Sequence, residues 1–581
     1  MYRRVRKVEA DNYYSKEPLT GGYPSQRRKD VRTEKLGRVL WRARPIVLGL
    51  AAAGIWSGSA MAFQFETADP DMEVRWDNTV KYNVGWRMNK RDRTLGDTWT
   101  MQAGEYKFDK GEAVTNRVDL LSEFDFIIKR NYGFRISGAA WKDFAYDDNV
   151  DGNPAFQAAG LGTSYPGNKF TSDVKRFYKQ GGELLDAFVF GRANLGEMPL
   201  DVRFGRHNLY WGESLFSAIH GVSYSQGPVN FQKALATPGS ELKELFLPLN
   251  QLSAVLRVND TLSVAAQYQL QWDPYRLPEG GTFLSSADLV FSGGTRTVTG
   301  IPYVGDRHHG RHETPEDRGN WGVNTKLTTD FGNLGFYYRR FDDRVPQILF
   351  SDGVLHNAYA EDVKLMGVSY STSISGVAVA GEVVRRNDTI LNTVAGSPDI
   401  ARGNTWHALV NAVAFIGRTP LFDAATFLGE VTYSRLDKIT DNKANFRHVD
   451  HNCPTRSKWD GCATDEAWGM QFSFTPTWYQ AFPSADVTLP ISYNRGLSGN
   501  SPVPFGGNEG SGSWSIGLGI DYKARYKFDI AYTDYYGRYS KGPNPFFGVV
   551  PGIGPSQLAT SNGNGAINDR GWLSVTFKTT F

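Results

Sequence analysis

The chain has little cysteine, almost no charge imbalance and, past its first sixty-two residues, no long apolar run. Each shortage removes a class of protein. A net charge of +3, left by 64 basic and 61 acidic residues, supplies no strongly basic surface for nucleic acid. Beyond residue 62 no apolar stretch is long enough for a transmembrane helix, and apolar periodicity near 3.6 is nearly absent. No GxSxG occurs, and GVSYSQG (221–227) lacks the second glycine where a serine nucleophile elbow needs it. No plug-sized domain precedes the first expected strand, which speaks against an energised, plugged receptor.

The two cysteines, Cys453 and Cys462, sit in HNCPTRSKWDGC. A pair closing so short a loop in an exported protein is expected to form a disulfide. His448 and His451 lie close by, but without paired Cys-x-x-Cys spacing no metal site is expected.

What the chain does have is 62 Gly, 28 Tyr and 15 Trp at a mean hydropathy of −0.41. It is aromatic and glycine-rich without being greasy. The basic run KLGRVLWRAR, the apolar PIVLGLAAAGIW (45–56) and the small residues that follow read as a secretory signal. Cleavage is expected after Ala60-Met61-Ala62, leaving Phe63 first; a retained membrane anchor is the alternative. Residues 1–62 are therefore set apart from the fold, which is expected over 63–581.

Along 63–581 the dominant period is two, the signature of strands with unlike faces. In TLSVAAQYQLQW (261–272), Leu262, Val264, Ala266, Tyr268, Leu270 and Trp272 oppose Ser263, Ala265, Gln267, Gln269 and Gln271. The final GWLSVTFKTTF (571–581) splits the same way, with Leu573, Val575, Phe577 and Phe581 on one face. A soluble β-sandwich also alternates, so connection lengths decide. Tight joins near 130–133, 259–260, 331–333 and 375–377 alternate with polar stretches of fifteen to over forty residues. Short turns on one side and long loops on the other are the pattern of an outer-membrane barrel.

Strands are expected near 72–86, 117–130, 133–144, 183–193, 199–208, 249–258, 261–272, 320–329 and 334–342. They continue near 363–373, 376–386, 405–416, 424–435, 467–479, 486–494, 513–523, 525–536 and 571–581. Eighteen, give or take two, is the expected count, with both ends on the periplasmic side and the last strand paired to the first. Trp272, Trp321, Trp406, Trp468 and Trp514 are expected in interfacial girdles, and Phe581 as a signal to the barrel-assembly machinery.

One connection, 211–248, mixes apolar residues, glycines and charges, and a short helix is expected to start within Ser240 to Glu244. So apolar a loop is poorly placed in water. It is expected to fold into the lumen and narrow it, an extracellular cap of loops being the alternative.

FGRHNLYWGESLF (204–216), PGSELKELFLP (238–248) and GGTFLSSADL (280–289) resemble the Gram-negative outer-membrane family known only as domain of unknown function 1302, over nearly the whole mature chain. The resemblance implies a barrel in the outer membrane, often encoded beside a periplasmic lipid-carrier-like protein and an inner-membrane transporter. It implies traffic of hydrophobic molecules and supplies no catalytic residues.

For a channel, the informative residues are polar groups at a constriction, because they set the field that a solute crosses. Parity points Glu123, Asp125, Lys326, Glu382, Asp521, Lys527, Asp529 and Arg203 inward. Arg206, Glu213, Lys233, Glu241, Lys243 and Glu244 join them from the inserted loop. Mixed signs argue against strong ion selectivity. The expected function is diffusion of hydrophobic or lipid-like compounds through an outer-membrane channel without cofactor or metal. The alternatives are a general porin for small polar solutes and a lipid-modifying barrel enzyme. For the enzyme, DRHHGRHE (306–313) offers His308, His309, His312 and Glu313, but a solvated loop tip is the better expectation.

Overall fold

A computed structural model describes residues 63–65, 67, 69–98, 102–237, 240, 242–289, 291, 293–297, 300–305, 314–453, 455–543, 549–550, 554–555 and 557–581. The expected signal region 1–62, Glu241 and the 306–313 histidine cluster lie outside them.

Period-two segments pair with their sequence neighbours into one antiparallel sheet that closes on itself. The strands are β1 (Met72–Arg87), β2 (Ala113–Ile128), β3 (Tyr132–Asp143), β4 (Gln180–Leu195), β5 (Met198–His207) and β6 (Leu249–Arg257). Next come β7 (Leu262–Gln269), β8 (Trp321–Thr329), β9 (Gly332–Phe341), β10 (Val363–Ile374), β11 (Val377–Ile390) and β12 (Arg402–Ile416). The ring finishes with β13 (Ala424–Asp441), β14 (Glu466–Phe482), β15 (Ala485–Thr488 with Ile491–Ser498), β16 (Gly512–Tyr522), β17 (Tyr526–Tyr536) and β18 (Trp572–Thr580). The two pieces of β15 are one strand interrupted at Leu489 and Pro490, since both pair with β14 and β16 in continuous register.

The twenty segments of the sheet thus reduce to eighteen barrel strands, because Phe63–Phe65 adds only a short edge to β1. Closure is made by β18 against β1, with Thr79 opposite Thr580 and Val84 opposite Val575. Phe581 extends the seam by exchanging backbone hydrogen bonds with Asn78. An open edge would leave peptide groups without partners in hydrocarbon, so closure is what permits the sheet to cross a membrane.

Eight short turns, the longest at 417–423, alternate with nine longer loops. The loops used below are L1 (88–112), L2 (144–179), L3 (208–248), L4 (270–320), L5 (342–362), L7 (442–465) and L8 (499–511). Outward faces carry exposed Val189, Phe204, Val264, Phe336, Val383, Val410 and Ile530, an apolar belt for lipid. Trp406, Trp468 and Trp514 are also exposed on outward faces. Trp272 departs from the expected girdle: β7 stops at Gln269, and the indole is fully buried in L4 against Tyr359. Period two runs on past the true strand end there, because L4 begins with apolar residues of its own.

Strand lengths are uneven around the ring. β1, β2 and β4 have 16 residues each, whereas β5 to β8 have 10, 9, 8 and 9. Some nine to eleven residues cross a bilayer when tilted. The short sector therefore only just spans, and the long one rises above it. Cys453 and Cys462 are joined by a disulfide in L7.

Candidate channel constriction

Alternation carries Lys81, Asp119, Glu123, Glu382 and Glu430 to the inside of the ring, where all are buried. L3 is what buries them. At its start Glu382 on β11 accepts hydrogen bonds from the backbone N–H of Glu213, of Ser214 (3.1 Å) and of Val222 (2.6 Å). Two strands on, Glu430 on β13 accepts from Leu215 (2.7 Å), Phe216 (3.3 Å) and Ser217 (2.7 Å). Asn411 on β12 donates to the Glu213 carbonyl at 2.7 Å. The loop backbone thus wraps two wall carboxylates, which satisfies donors that have no strand partner.

Gly212 makes the wrap possible. Its φ is +95°, and a Cβ there would run into the Glu382 carboxylate. Arg339 on β9 donates to the carbonyls of Val222 (2.9 Å) and Tyr224 (2.6 Å). Val222, Tyr224 and Trp211 then pack against Tyr337, Leu365 and Val384 of the wall. Fully burying a side chain of Val or Leu size stabilises by about 1.5–3 kcal/mol, so this contact fixes the segment rather than merely touching it.

The far end of L3 reaches other strands. Asn230 caps the helix Phe231–Ala236 by accepting from the Lys233 N–H. Lys233 pairs with Glu244 and stands 3.9 Å from Asp119 on β2. Lys81 on β1 donates to Ser240 (3.0 Å) and lies 3.8 Å from Glu244. Lys243, in the helix Leu242–Leu245, pairs with Glu123 on β2. β1–β2 and β11–β13 are about half the ring apart, so L3 is strung across the lumen and tied at both walls.

Other polar groups sit beside or below this bridge. Lys326 is exposed to the lumen under L3. Burial pushes the Glu213 carboxyl up, against the pull of Lys326. Asp125 pairs with Arg135 at 2.9 Å, Asp521 lies 3.6 Å from Lys527, and the Arg203 guanidinium sits 5.8 Å from the Phe188 ring centre. Asp529 faces the lumen opposite Thr576. His220 of L3 lies 3.1 Å from His407 on β12 and 3.0 Å from the Gly506 carbonyl of L8. The pKa of His220 falls to about 4, chiefly through burial and then through Arg386.

The expected residues divide into two groups. Glu123, Glu382, Glu213, Lys233, Lys243 and Glu244 meet at the two ties, while Asp125, Lys326, Arg203, Asp521, Lys527 and Asp529 lie elsewhere in the lumen. Arg206 is a correction. It belongs to β5, opposite Ala187, on the outward face that Phe204 shares, because it is His207 whose parity turns inward. Lys81, Asp119, Glu430 and Asn411 were not singled out, although the same parity rule places them inward. The rule also covers Arg339 on β9, which shares the inward parity of Tyr337 and Phe341, whereas Arg276, paired with Glu183 at 2.7 Å, lies in L4, for which parity gives no signal.

A closed eighteen-strand barrel with a lipid-facing belt, short turns on one side and long loops on the other has the fold of an outer-membrane channel. Within that class the chain belongs to the family described as protein of unknown function DUF1302, whose model matches residues 43–581. No curated protein matches it. Among solved structures it is similar to OccAB4 of Acinetobacter baumannii, at 9% identity and TM-score 0.40, over 89% of this chain and 99% of that one. It is also similar to the outer membrane channel DcaP of Acinetobacter baumannii, at 10% identity and TM-score 0.36, over 90% and 100%. A third is OccK1 (OpdK) of Pseudomonas aeruginosa, at 7% identity and TM-score 0.37, over 87% and 98%.

Proposed function

We propose that the barrel is a passive outer-membrane channel for hydrophobic or lipid-like compounds, which diffuse past L3. The observation that carries this reading is the double tie of L3. A loop held by six backbone hydrogen bonds at one wall and, at the other, by the contacts of Lys81 with Glu244, of Lys233 with Asp119 and of Lys243 with Glu123 subdivides the lumen. Beside it runs a cleft walled by Trp141, Phe177, Tyr178, Phe283 and Trp572. Aromatic walls favour the apolar part of a solute, and the charged groups that share the lining, Arg117, Asp143, Glu183, Lys233 and Arg276, favour a polar head on it. Every ion pair named at the ties is internal, which fits a solute of low net charge. A periplasmic lipid-carrier-like protein and an inner-membrane transporter are the proposed partners for handover.

The test is planar-bilayer recording with the refolded protein. The whole chain is expected to give a small, stable conductance that deletion of 211–248 widens. A protein that stays silent with the loop removed would refute the channel. Turnover of phospholipid or ester by the whole chain would favour the barrel-enzyme reading instead.

A further inference from the structure

The wall of the barrel has a step at β4. Gly138 of β3 pairs with Leu184, but Ile136 pairs with Ala187, so Leu185 and Asp186 form a bulge. On its other side β4 pairs with β5 only from Ala187 onward, opposite Arg206. The seven residues from Gln180 to Asp186 rise beyond the end of β5 and, among the described residues, have no strand on that side. Where the wall stops, Arg206 donates to the exposed Leu184 carbonyl at 3.2 Å and to Gln271 of L4 at 3.1 Å.

Two spaces flank this step. Inside is the narrow aromatic cleft of the lumen, a cavity of about 40 Å³ that a chain would have to widen, with Glu183 and Arg276 among its lining. Outside is an open recess of about 500 Å³ lined by Leu184, Ala187, Arg206, Asn250, Gln271 and Asp273. Glu183 and Leu184 are consecutive and face opposite ways, and Asp273 and Arg276 belong to one stretch of L4. The Glu183–Arg276 ion pair, 2.7 Å long, lines the inner space, one residue along β4 from Leu184 and three along L4 from Asp273, which line the outer one.

The height of the step matters. Leu184 is 52% exposed and lies on the outward face with Ile136 and Val189, at the upper edge of the apolar belt. Four residues further up β4, Gln180 pairs with the outward-facing Lys142, a side chain suited to the headgroup layer. The recess thus opens at the outer-leaflet side of the membrane, with apolar Leu184 and Ala187 below and Arg206, Asn250 and Asp273 to meet a polar head.

We infer that the step between β4 and β5 is a lateral portal, through which a single-chain amphiphile passes between the aromatic cleft and the outer leaflet, with the Glu183–Arg276 pair as its door. The inference rests on the reading of the barrel as a channel for lipid-like cargo and gives that cargo its exit. Polar solutes have no reason to take this path. The chain of an amphiphile crosses it without entering water, and its head stays with Arg206, Asn250 and Asp273.

The experiment places the photoreactive residue p-benzoylphenylalanine at Phe177, a conservative change inside the cleft, in the whole barrel reconstituted in phosphatidylcholine vesicles. The probe is palmitic acid carrying a terminal alkyne, dissolved in those vesicles. Capture at position 177 is expected, as is capture at a control in place of the lipid-facing Val410. Ala187→Trp, which adds bulk on the outer face only, is expected to lower capture at 177 about ten-fold, as roughly 1.4 kcal/mol of added barrier does. Glu183→Ala, which removes the door, is expected to raise it. Normal capture at 410 with none at 177, in both the unaltered wall and Glu183→Ala, would overturn the portal, as would capture at 177 that Ala187→Trp leaves unchanged. The conductance of the L3-deleted barrel does not depend on this path, so failure of the portal and failure of the channel are separately visible.

Discussion

Replacing Glu382 by alanine removes the acceptor for three L3 amides at once, those of Glu213, Ser214 and Val222. A hydrogen bond to a charged group contributes about 1.5–3 kcal/mol. Allowing for water entering the vacated space, the three together should cost about 4 kcal/mol of the tie. Each 1.4 kcal/mol is ten-fold in an equilibrium, so the released form of residues 211–222 should gain about a thousand-fold in population.

The assay is amide hydrogen exchange on the detergent-folded barrel, read at those three positions beside those of Leu215, Phe216 and Ser217. The first group should lose protection strongly. The second, bound to Glu430, should lose less until Glu430→Ala is added. Glu382→Gln should fall between. Its remaining oxygen can still serve Glu213 and Ser214, but its amide would point a donor at the Val222 N–H, which Oε2 now accepts. In planar bilayers the double alanine variant should show larger and noisier conductance steps. Unchanged exchange at Glu213, Ser214 and Val222 in Glu382→Ala would refute the idea that this carboxylate holds the loop.

Other consequences are open to direct test. Glu105 of L1, pushed up to about 7 by burial against the pull of Arg570 and Arg87, and Asp288 of L4, pushed up to about 7 by burial against the hydrogen bond from Ala103, meet at one loop interface. Because the folded values lie above the ordinary ones, the stabilisation is full below about pH 4 and is lost as pH rises toward 7. Limited proteolysis of L1 should therefore be slower at pH 5 than at pH 8, and Glu105→Gln with Asp288→Asn should flatten the difference; equal rates in the parent protein would contradict it. Cys453→Ser should destabilise L7 locally by about 2–3 kcal/mol, given the short loop that the disulfide closes, seen as faster cleavage between 442 and 465 with the heat-modifiable barrel intact. Val410→Arg, at an outward position 59% exposed, should cost about 2–4 kcal/mol in urea unfolding from bilayers. The same change at the lumen-facing Ser371 should cost little, and equal effects would mean that the outer face is misassigned.

Most of the barrel was legible because one physical rule governs it. A strand between lipid and water must alternate, and a closed ring forces short turns to alternate with long loops, so parity alone placed Glu123, Glu382, Lys326 and Asp521 on the inner face. That rule could equally have marked Lys81, Asp119 and Glu430, whose parity is just as clear. What it could not convey is partnership. Glu382 and Glu430 stand on strands that do not pair, opposite Leu409 and Asn411 of the β12 between them, yet one stretch of L3 wraps both, because its backbone donors have nowhere else to go. Loops obey no period, and so the alternation at 261–272 carried on into Trp272 although the strand had ended and L4 had begun. Arg206 failed for a related reason. Grouped with the loop that follows it, it was expected at the constriction, but it is the next-to-last residue of a strand, and that one step of parity turns it from the lumen to the outer face. The step in the wall beside it left no trace in the pattern, since it arises from β4 being longer than β5, and the relative length of neighbouring strands is settled only when they pair.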